Sequence, residues 1–209
     1  MKITTFVCLT FVVAAFAVPA FLYPRLPDPM PSHWDLQGHV NGFMPKPLGA
    51  FFGSLMTLVL WFFMGILPRI SPRGFTVEFP RAYEAIRMVI TAFMAAVAII
   101  IPLAAIGTRI DMSRVILGGT GVLLAVIGNF LSKTTRNFWV GIRTPWTLAS
   151  DEVWLRTHRL GAKMFVIGGI VVAVCGLVGA PMPIWLAAVL VPGLVPIVYS
   201  YVIYRRIEG

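Results

Sequence analysis

The chain has 209 residues, of which 58% are hydrophobic and only 12% are charged, and its formal net charge is +9. Soluble globular domains carry about 25% charged residues, so the composition argues against a soluble domain. Because the apolar residues lie in long blocks, the sequence indicates a protein that crosses a membrane several times.

Six apolar blocks are long enough to span a bilayer. As helices, blocks of about 17 to 21 residues reach roughly 25–31 Å, which matches the hydrocarbon core of a membrane. We therefore predict an all-α integral membrane protein with six transmembrane helices. The predicted spans are residues 3–23, 48–67, 88–107, 115–131, 164–180 and 184–204.

The first block also has features of a signal peptide. Lys2 precedes it, and Ala15-Phe16-Ala17 is a small-residue pattern that a signal peptidase could cleave. The apolar run continues past this pattern to Tyr23, which is long enough to cross the membrane, so we expect an uncleaved anchor.

The first connection, residues 24–47, is called the hairpin loop below. It is rich in proline up to Pro31, which favours extended backbone over helix. Asn41-Gly42 is typical of a tight turn. We predict that the segment forms a small cap on the extracytoplasmic side, such as a short hairpin.

His33, Asp35 and His39 in the hairpin loop are residue types that can ligate zinc. Their spacing matches no common metal motif, and Trp34 beside them is typical of a side chain that anchors at a membrane interface. We expect no metal and no other cofactor.

The predicted spans contain very few ionisable side chains, which disfavours an ion-coupled transporter. Arg87 and Arg114 lie at span edges, where long side chains reach the lipid headgroups. Small-residue pairs such as Gly118-Gly119 and Gly168-Gly169 let helices approach closely. These glycines predict a compact bundle or the contact face of a homo-oligomer.

The lysines and arginines are distributed unequally between the two sides that six spans define. Thirteen lie on the side that holds both termini and four on the other, and this bias predicts cytoplasmic N- and C-termini. Topology and the lipid bilayer therefore explain the basicity, and we expect no direct nucleic-acid partner. The thirteen are Lys2, Arg69, Arg73, Arg81, Arg87, Lys133, Arg136, Arg143, Arg156, Arg159, Lys163, Arg205 and Arg206, and the four are Arg25, Lys46, Arg109 and Arg114.

The fourth connection, residues 132–163, is polar and aromatic and is called the signature loop below. Gly141 and Pro145 disfavour a helix in its first part. Ser150 is a suitable N-cap, and Asp151 and Glu152 would stabilise the first turn of a helix. We expect that helix to run directly into the fifth span.

The residue types of the signature loop have an ordinary explanation. Tryptophans and arginines are common where proteins meet the membrane interface, and His158, one turn after Trp154, is more often a packed residue than a catalyst. This explanation does not account for the order of residues 141–148, GIRTPWTL, in which a turn, a planar cation and a ring alternate.

Two motifs of the chain resemble the SdpI family of bacterial membrane proteins, and the second is the more specific. The hairpin-loop motif consists of Pro27, Pro31, His33, Trp34, Gly38, Gly42 and Lys46. The signature-loop motif consists of Asn137, Gly141, Arg143, Thr144, Pro145, Trp146, Thr147, Trp154 and His158.

The resemblance implies a protein of the bacterial cytoplasmic membrane that is not an enzyme. The namesake of the family protects bacteria from a secreted peptide toxin and captures a cytoplasmic repressor at the membrane, so a toxin and a repressor are the implied partners. The implied organisation has two parts: residues 1–70, with two spans and the hairpin loop, and residues 71–209, with four spans and the signature loop.

Two other functions remain open at this point. An enzyme or carrier for a lipid-linked substrate would use Arg143 to hold a phosphate and His158, with Asp151 or Glu152, to transfer protons. No nucleophile motif, phosphate loop or metal spacing supports that function. A purely structural assembly factor is the other alternative.

Overall fold

The computed structural model describes residues 3–72 and 80–208. Lys2 and Arg73, which belong to the thirteen cations on the predicted cytoplasmic side, lie outside the described residues. Within these two ranges, six helices are long and apolar enough to cross a membrane. The predicted fold class, an all-α membrane protein with six spans, is confirmed.

The elements include one short helix and one two-stranded sheet besides the six long helices. A single 3₁₀ turn, Tyr23–Arg25, follows the first helix. In chain order the helices and strands are α1 (Ile3–Leu22), β1 (Met30–Trp34), β2 (Val40–Met44), α2 (Lys46–Ile66), α3 (Pro80–Ala105), α4 (Met112–Leu131), α5 (Pro145–Ala149), α6 (Asp151–Val178) and α7 (Met182–Ile207).

The fifth predicted span is the second part of a longer helix. Helix α6 begins at Asp151, and the Ser150 side chain accepts a hydrogen bond from the amide of Val153. The helix ends at Gly179, whose φ of 69° is left-handed and whose amide donates to the Cys175 carbonyl. The predicted helix from Ser150 into the fifth span is confirmed.

The described residues form two compact units, and the first comprises the residues up to Gly65 together with Arg87–Leu117. Its apolar core lies where the end of α1 and the hairpin loop meet α2. Ser54 on α2 also donates a hydrogen bond of 2.5 Å to the Ala15 carbonyl on α1. The buried residues of this core are Leu22, Leu26, Met30 and Ala50.

Arg87 is buried in the first unit, with only 7% of its surface exposed. Its Nη2 donates to the Trp61 carbonyl at 3.3 Å, and its guanidinium lies 5.4 Å from the centre of the Trp61 ring. The prediction that Arg87 reaches the headgroups from a span edge is therefore wrong, because α2 offers this side chain a ring and a carbonyl. Arg114 is exposed and pairs with Asp111 at 2.9 Å.

The second unit comprises Ile66–Ile86 and Gly118–Gly209, and close helix contacts at glycines hold it together. A Cβ at Gly121 on α4 would collide with the backbone of Ala173 on α6. A Cβ at Gly168 on α6 would lie 2.6 Å from Pro192 Cγ on α7. Backbones this close gain dispersion contacts that apolar side chains alone do not supply in lipid, so α4, α6 and α7 pack as one bundle.

Candidate functional site

The hairpin loop is a two-stranded antiparallel sheet whose turn spans residues 35–39. Asp35 Oδ1 accepts hydrogen bonds from the amides of Gln37 at 2.9 Å and His39 at 2.8 Å. The amide of His39 contributes most to holding the pKa of the Asp35 carboxyl below its ordinary value. Gly38 adopts a left-handed φ of 83° in this turn.

The turn does not lie at Asn41-Gly42, where the sequence predicts it. Both residues belong to β2, and Gly42 lies opposite His33, where a Cβ would come within 2.9 Å of His33 Cβ. The Asn41 side chain meets His33 Nδ1 at 2.5 Å. The Asp35 carboxylate and Gly38 close the hairpin instead, because together they satisfy the turn amides and supply the left-handed residue.

The remaining residues of the hairpin-loop motif are distributed along its length. Pro27 is exposed, and Pro31 pairs with Phe43 across the strands. Lys46 begins α2, and its ammonium lies 4.9 Å from the centre of the Tyr23 ring. Trp34 is half-buried opposite Val40. The motif therefore combines residues that shape the hairpin with one partly exposed ring.

The signature loop begins with a segment that the side chain of Asn137 organises. Asn137 is fully buried, and its Nδ2 donates to the carbonyls of Thr135 and Val140 at 2.9 and 2.8 Å. Its Oδ1 accepts from the amides of Trp139 and Val140 at 2.9 and 2.7 Å. All the hydrogen-bonding capacity of one amide is thus used to fold residues 135–140.

His158 connects the signature loop to α6. Its Nε2 accepts a hydrogen bond from the amide of Ile142 at 2.9 Å, and its Nδ1 lies 2.8 Å from the Trp154 carbonyl. Because Nε2 accepts, the proton of a neutral imidazole lies on Nδ1 and is donated to that carbonyl. The ring is only 1% exposed, and both of its nitrogens bond to backbone groups of the protein.

Trp154 and Gly141 enclose this histidine. The Trp154 ring stacks on the imidazole with ring centres 3.9 Å apart, and its Nε1 donates to the Thr134 carbonyl at 2.9 Å. Gly141 has a φ of 128°, and a Cβ there would collide with His158 Nε2 and lie 3.1 Å from the Trp154 ring. Gly141 is therefore required both by its backbone angle and by the space beside the two rings.

The short helix α5 is closed by a reciprocal pair of threonines. The Thr144 hydroxyl accepts from the amide of Thr147 at 3.2 Å, and the Thr147 hydroxyl accepts from the amide of Thr144 at 2.9 Å. This is a capping box in which threonine replaces the usual glutamate or glutamine. Pro145 follows at the first helical position, where its missing N–H costs nothing.

Two contacts attach α5 to α7. Thr144 Oγ1 lies 3.0 Å from Ser200 Oγ, and Ser200 donates its own proton to the Ile197 carbonyl at 2.6 Å. Either hydroxyl of this pair can donate to the other, and Thr144 Oγ1 also lies 3.3 Å from Thr147 Oγ1. The Trp146 ring packs on Tyr201 with centres 5.0 Å apart. Ser200 was not singled out from the sequence, since a lone serine in an apolar helix carries no local signal.

Charged residues complete the loop at its surface. Arg143 is exposed, donates to the Phe138 carbonyl and lies 5.9 Å from the centre of the Phe138 ring. Arg136 donates from Nε to Asp151 at 2.7 Å and from Nη1 to the Leu148 carbonyl at 2.8 Å. Arg136 thus joins the start of the loop to α6, a role that the sequence does not reveal.

Comparisons with known proteins give matches in the regions of both loops. The family model described as the SdpI/YfhL protein family matches residues 133–200. A second model, a domain of unknown function (DUF1648), matches residues 10–58, which contain the hairpin loop. The chain is 24% identical over 194 residues to the immunity protein SdpI of Bacillus subtilis (strain 168), covering 90% of this chain and 89% of that protein.

Residues 133–200 are thus similar to the SdpI family, and most of the chain is similar to an immunity protein of that name. No solved structure matches the chain. With six helices that can cross a membrane, this chain is a multi-pass protein of the bacterial inner membrane. Within it, the signature loop lies wholly in the second compact unit and the hairpin loop wholly in the first.

Proposed function

We propose that this protein belongs to the SdpI family and is a membrane immunity protein that protects its cell from a secreted antimicrobial peptide. The observation that carries the proposal is the similarity to the immunity protein SdpI along 90% of the chain. An alignment of that length extends over both the hairpin loop and the signature loop. The proposal therefore assigns one contact surface to each of the two loops.

The proposal includes the membrane orientation. Thirteen of the 17 lysines and arginines belong to the side that holds both termini. Since cytoplasmic loops are enriched in these residues, the termini and the signature loop face the cytoplasm. The hairpin loop faces the outside, where a secreted toxin approaches.

The hairpin loop supplies the toxin contact in this proposal. Leu36 and Phe43 are 58% and 60% exposed, and Trp34, two residues before Leu36, is half-buried. A large ring contributes most of the contact energy when a partner buries it. The other two outward connections, residues 106–111 and 179–181, are shorter than the hairpin and offer less surface.

The signature loop is the proposed docking surface for a cytoplasmic repressor. The polar groups of Asn137, Thr147 and His158 form hydrogen bonds inside the protein. These residues therefore shape the surface and do not contact the partner. Exposed side chains between Asn137 and Ser150 remain for recognition. They are Phe138, Arg143, Pro145 and Ala149.

The geometry gives little support to an enzyme that acts on a lipid-linked substrate. Such an enzyme would need His158 to exchange protons, but both imidazole nitrogens already bond to backbone groups. Asp151 pairs with Arg136, and Glu152 pairs with Arg156 at 2.5 Å. The residues considered for proton transfer therefore hold the loop and the first turns of α6 in place.

Expression in a toxin-sensitive host tests the immunity function. Wild-type protein should raise survival under a cognate peptide toxin, and Trp34→Ala or Phe43→Ala should lower survival at least tenfold, as expected for the loss of about 1.4 kcal/mol or more of contact energy. Membrane abundance, measured by immunoblot, should not change. A wild-type protein that gives no protection against such peptides would contradict the proposal.

Phe138→Ala is the matched control, since it removes an exposed aromatic ring from the other loop. It should leave toxin protection intact and reduce the recruitment of a cytoplasmic repressor, measured by co-purification with the membrane fraction. Trp34→Phe distinguishes contact from anchoring. If the ring only fixes the loop at the headgroups, phenylalanine should restore most of the protection that alanine removes.

A further inference from the structure

One face of α6 remains exposed along most of the helix. Its members are spaced three or four residues apart, which places them on one side of a helix. Two cations, which are among the last residues of the signature loop, lie at one end, and four aliphatic side chains, 50–75% exposed, continue from them. This set, called the α6 stripe, consists of Arg159, Lys163, Ile167, Ile170, Val174 and Leu177.

The two cations of the α6 stripe carry uncompensated charge. Neither Arg159 nor Lys163 has an ion pair within residues 3–72 and 80–208, although each is exposed. The acid on the same face, Glu152, is already paired with Arg156 at 2.5 Å. The α6 stripe therefore presents net positive charge directly beside an apolar surface.

The opposite face of α6 is fixed by packing, so the stripe cannot turn inward. A Cβ at Gly169 would collide with the backbone of Ala125 on α4, and a Cβ at Gly168 would collide with the Ala188 carbonyl on α7. Rotating the helix would replace these glycines with larger side chains at contacts that have no room for them. The stripe is consequently a permanent surface of the second unit.

A second copy of the chain is a poor occupant of this surface. A symmetric contact would bring the same two cations of each copy together without an acid to neutralise them. Apolar side chains gain little from leaving lipid for one another, and close membrane contacts use small residues. The glycines of α6 already serve contacts with α4 and α7.

We propose that the α6 stripe is a binding site for an anionic phospholipid. Arg159 and Lys163 hold the phosphate of the headgroup, and an acyl chain lies along Ile167 to Leu177. The distance from Lys163 to Leu177 is roughly 21 Å at ~1.5 Å per residue, longer than one leaflet of a ~30 Å hydrocarbon core. The aliphatic part of the stripe therefore accommodates a whole acyl chain, and the cations select the headgroup charge.

Native mass spectrometry of the full chain in an uncharged detergent tests this site. Titration with phosphatidylglycerol should give a saturable one-lipid adduct that phosphatidylcholine does not give. Arg159→Gln/Lys163→Gln should weaken phosphatidylglycerol binding roughly thirtyfold, because each of the two cations contributes on the order of 1 kcal/mol near an anionic lipid and about 1.4 kcal/mol corresponds to a factor of ten. Size-exclusion chromatography and circular dichroism check that the variant is folded.

Arg205→Gln/Arg206→Gln is the matched control, because it removes two exposed cations from the end of α7 without touching the stripe. It should leave phosphatidylglycerol binding within about twofold of wild type, as expected for charges outside the site. Millimolar inorganic phosphate should not displace the adduct, because it lacks the acyl chain. Equal losses in both double variants, or a dimer that only the stripe variant disrupts, would overturn the proposal.

Discussion

At the residue scale, the signature loop owes its shape to polar side chains that bond to backbone. Asn137 makes four such bonds, and His158 makes two. A buried backbone amide without a partner costs about 1–3 kcal/mol, so each of these side chains removes a penalty that an irregular segment would otherwise carry. The motif residues are therefore needed for the loop conformation whatever the loop binds.

Gly141→Ala provides a test of this conformation. Any residue with a Cβ is strained at the φ of Gly141, and here the Cβ would also collide with His158 Nε2. We expect a loss of about 3 kcal/mol or more, which corresponds to a fall of roughly 6–12 °C in the melting temperature in detergent. A thermal shift assay on the purified protein measures it.

Gly107→Ala is the control for backbone strain alone. Gly107 has a similar φ of 90°, but nothing lies within 4 Å of its added Cβ. It should cost only about 1–2 kcal/mol, or roughly 2–8 °C. Equal shifts for the two variants would show that the space beside His158 and Trp154 is not filled as described.

At the element scale, α5 is the part of the signature loop that attaches it to α7. Five residues are too few for a stable isolated helix, so its conformation depends on the Thr144–Thr147 capping box and on the contacts with Ser200 and Tyr201. Helix α7 also contains Pro192 and Pro196, which remove N–H donors just before this contact. The loop is thus attached to the part of α7 that follows both prolines.

A double-mutant cycle with Thr144→Val and Ser200→Ala tests that attachment. Each single variant removes one hydroxyl of the buried pair, so the double variant should lose less stability than the sum of the two. A coupling of about 0.5–1.5 kcal/mol is expected for one buried hydrogen bond. Chemical denaturation in mixed micelles gives the free energies of unfolding.

Thr134→Val replaces Ser200→Ala in the control cycle. Thr134 is also buried in the second unit, but its hydroxyl donates to the Leu131 carbonyl at 2.7 Å and not to Thr144. The two changes should then be additive within about 0.5 kcal/mol. An additive Thr144–Ser200 pair would mean that Trp146 and Tyr201 alone attach α5 to α7.

At the scale of the whole molecule, the sequence predicts the features that depend on local pattern. The six spans follow from apolar length, and the start of α6 follows from Ser150 and the acids after it. The features that depend on distant partners are missed. Arg87 is buried because Trp61, 26 residues earlier, offers it a carbonyl, and Thr144 meets a serine 56 residues later.

The hairpin turn shows a different limit of local pattern. Asn-Gly is a strong signal for a two-residue turn, yet Asn41-Gly42 lies inside β2. Asp35 and Gly38 form a competing signal that is spread over four residues and closes a longer loop. The choice between these two turn signals depends on the strand register. In the observed register Met30 pairs with Met44, and Met30 is fully buried at the start of the hairpin.

Membrane orientation is a property of the whole chain, and cysteine labelling tests it. Cys8 and Cys175 are 0% and 4% exposed, so the wild-type protein should react little with a membrane-impermeant maleimide. Leu36→Cys places a thiol at a 58% exposed position of the hairpin turn, and Ala149→Cys places one at an exposed position of the signature loop. Leu36 is preferable to Gly38, whose left-handed φ disfavours a side chain.

Because thirteen of 17 lysines and arginines share the side of the termini, Leu36→Cys should be labelled in intact cells. Ala149→Cys should be labelled only after the membrane is opened, and both variants should react fully in detergent. The opposite pattern would place the hairpin loop in the cytoplasm, out of reach of a secreted peptide. The toxin contact would then have to be moved to the signature loop, with Phe138 and Arg143 in place of Trp34 and Phe43.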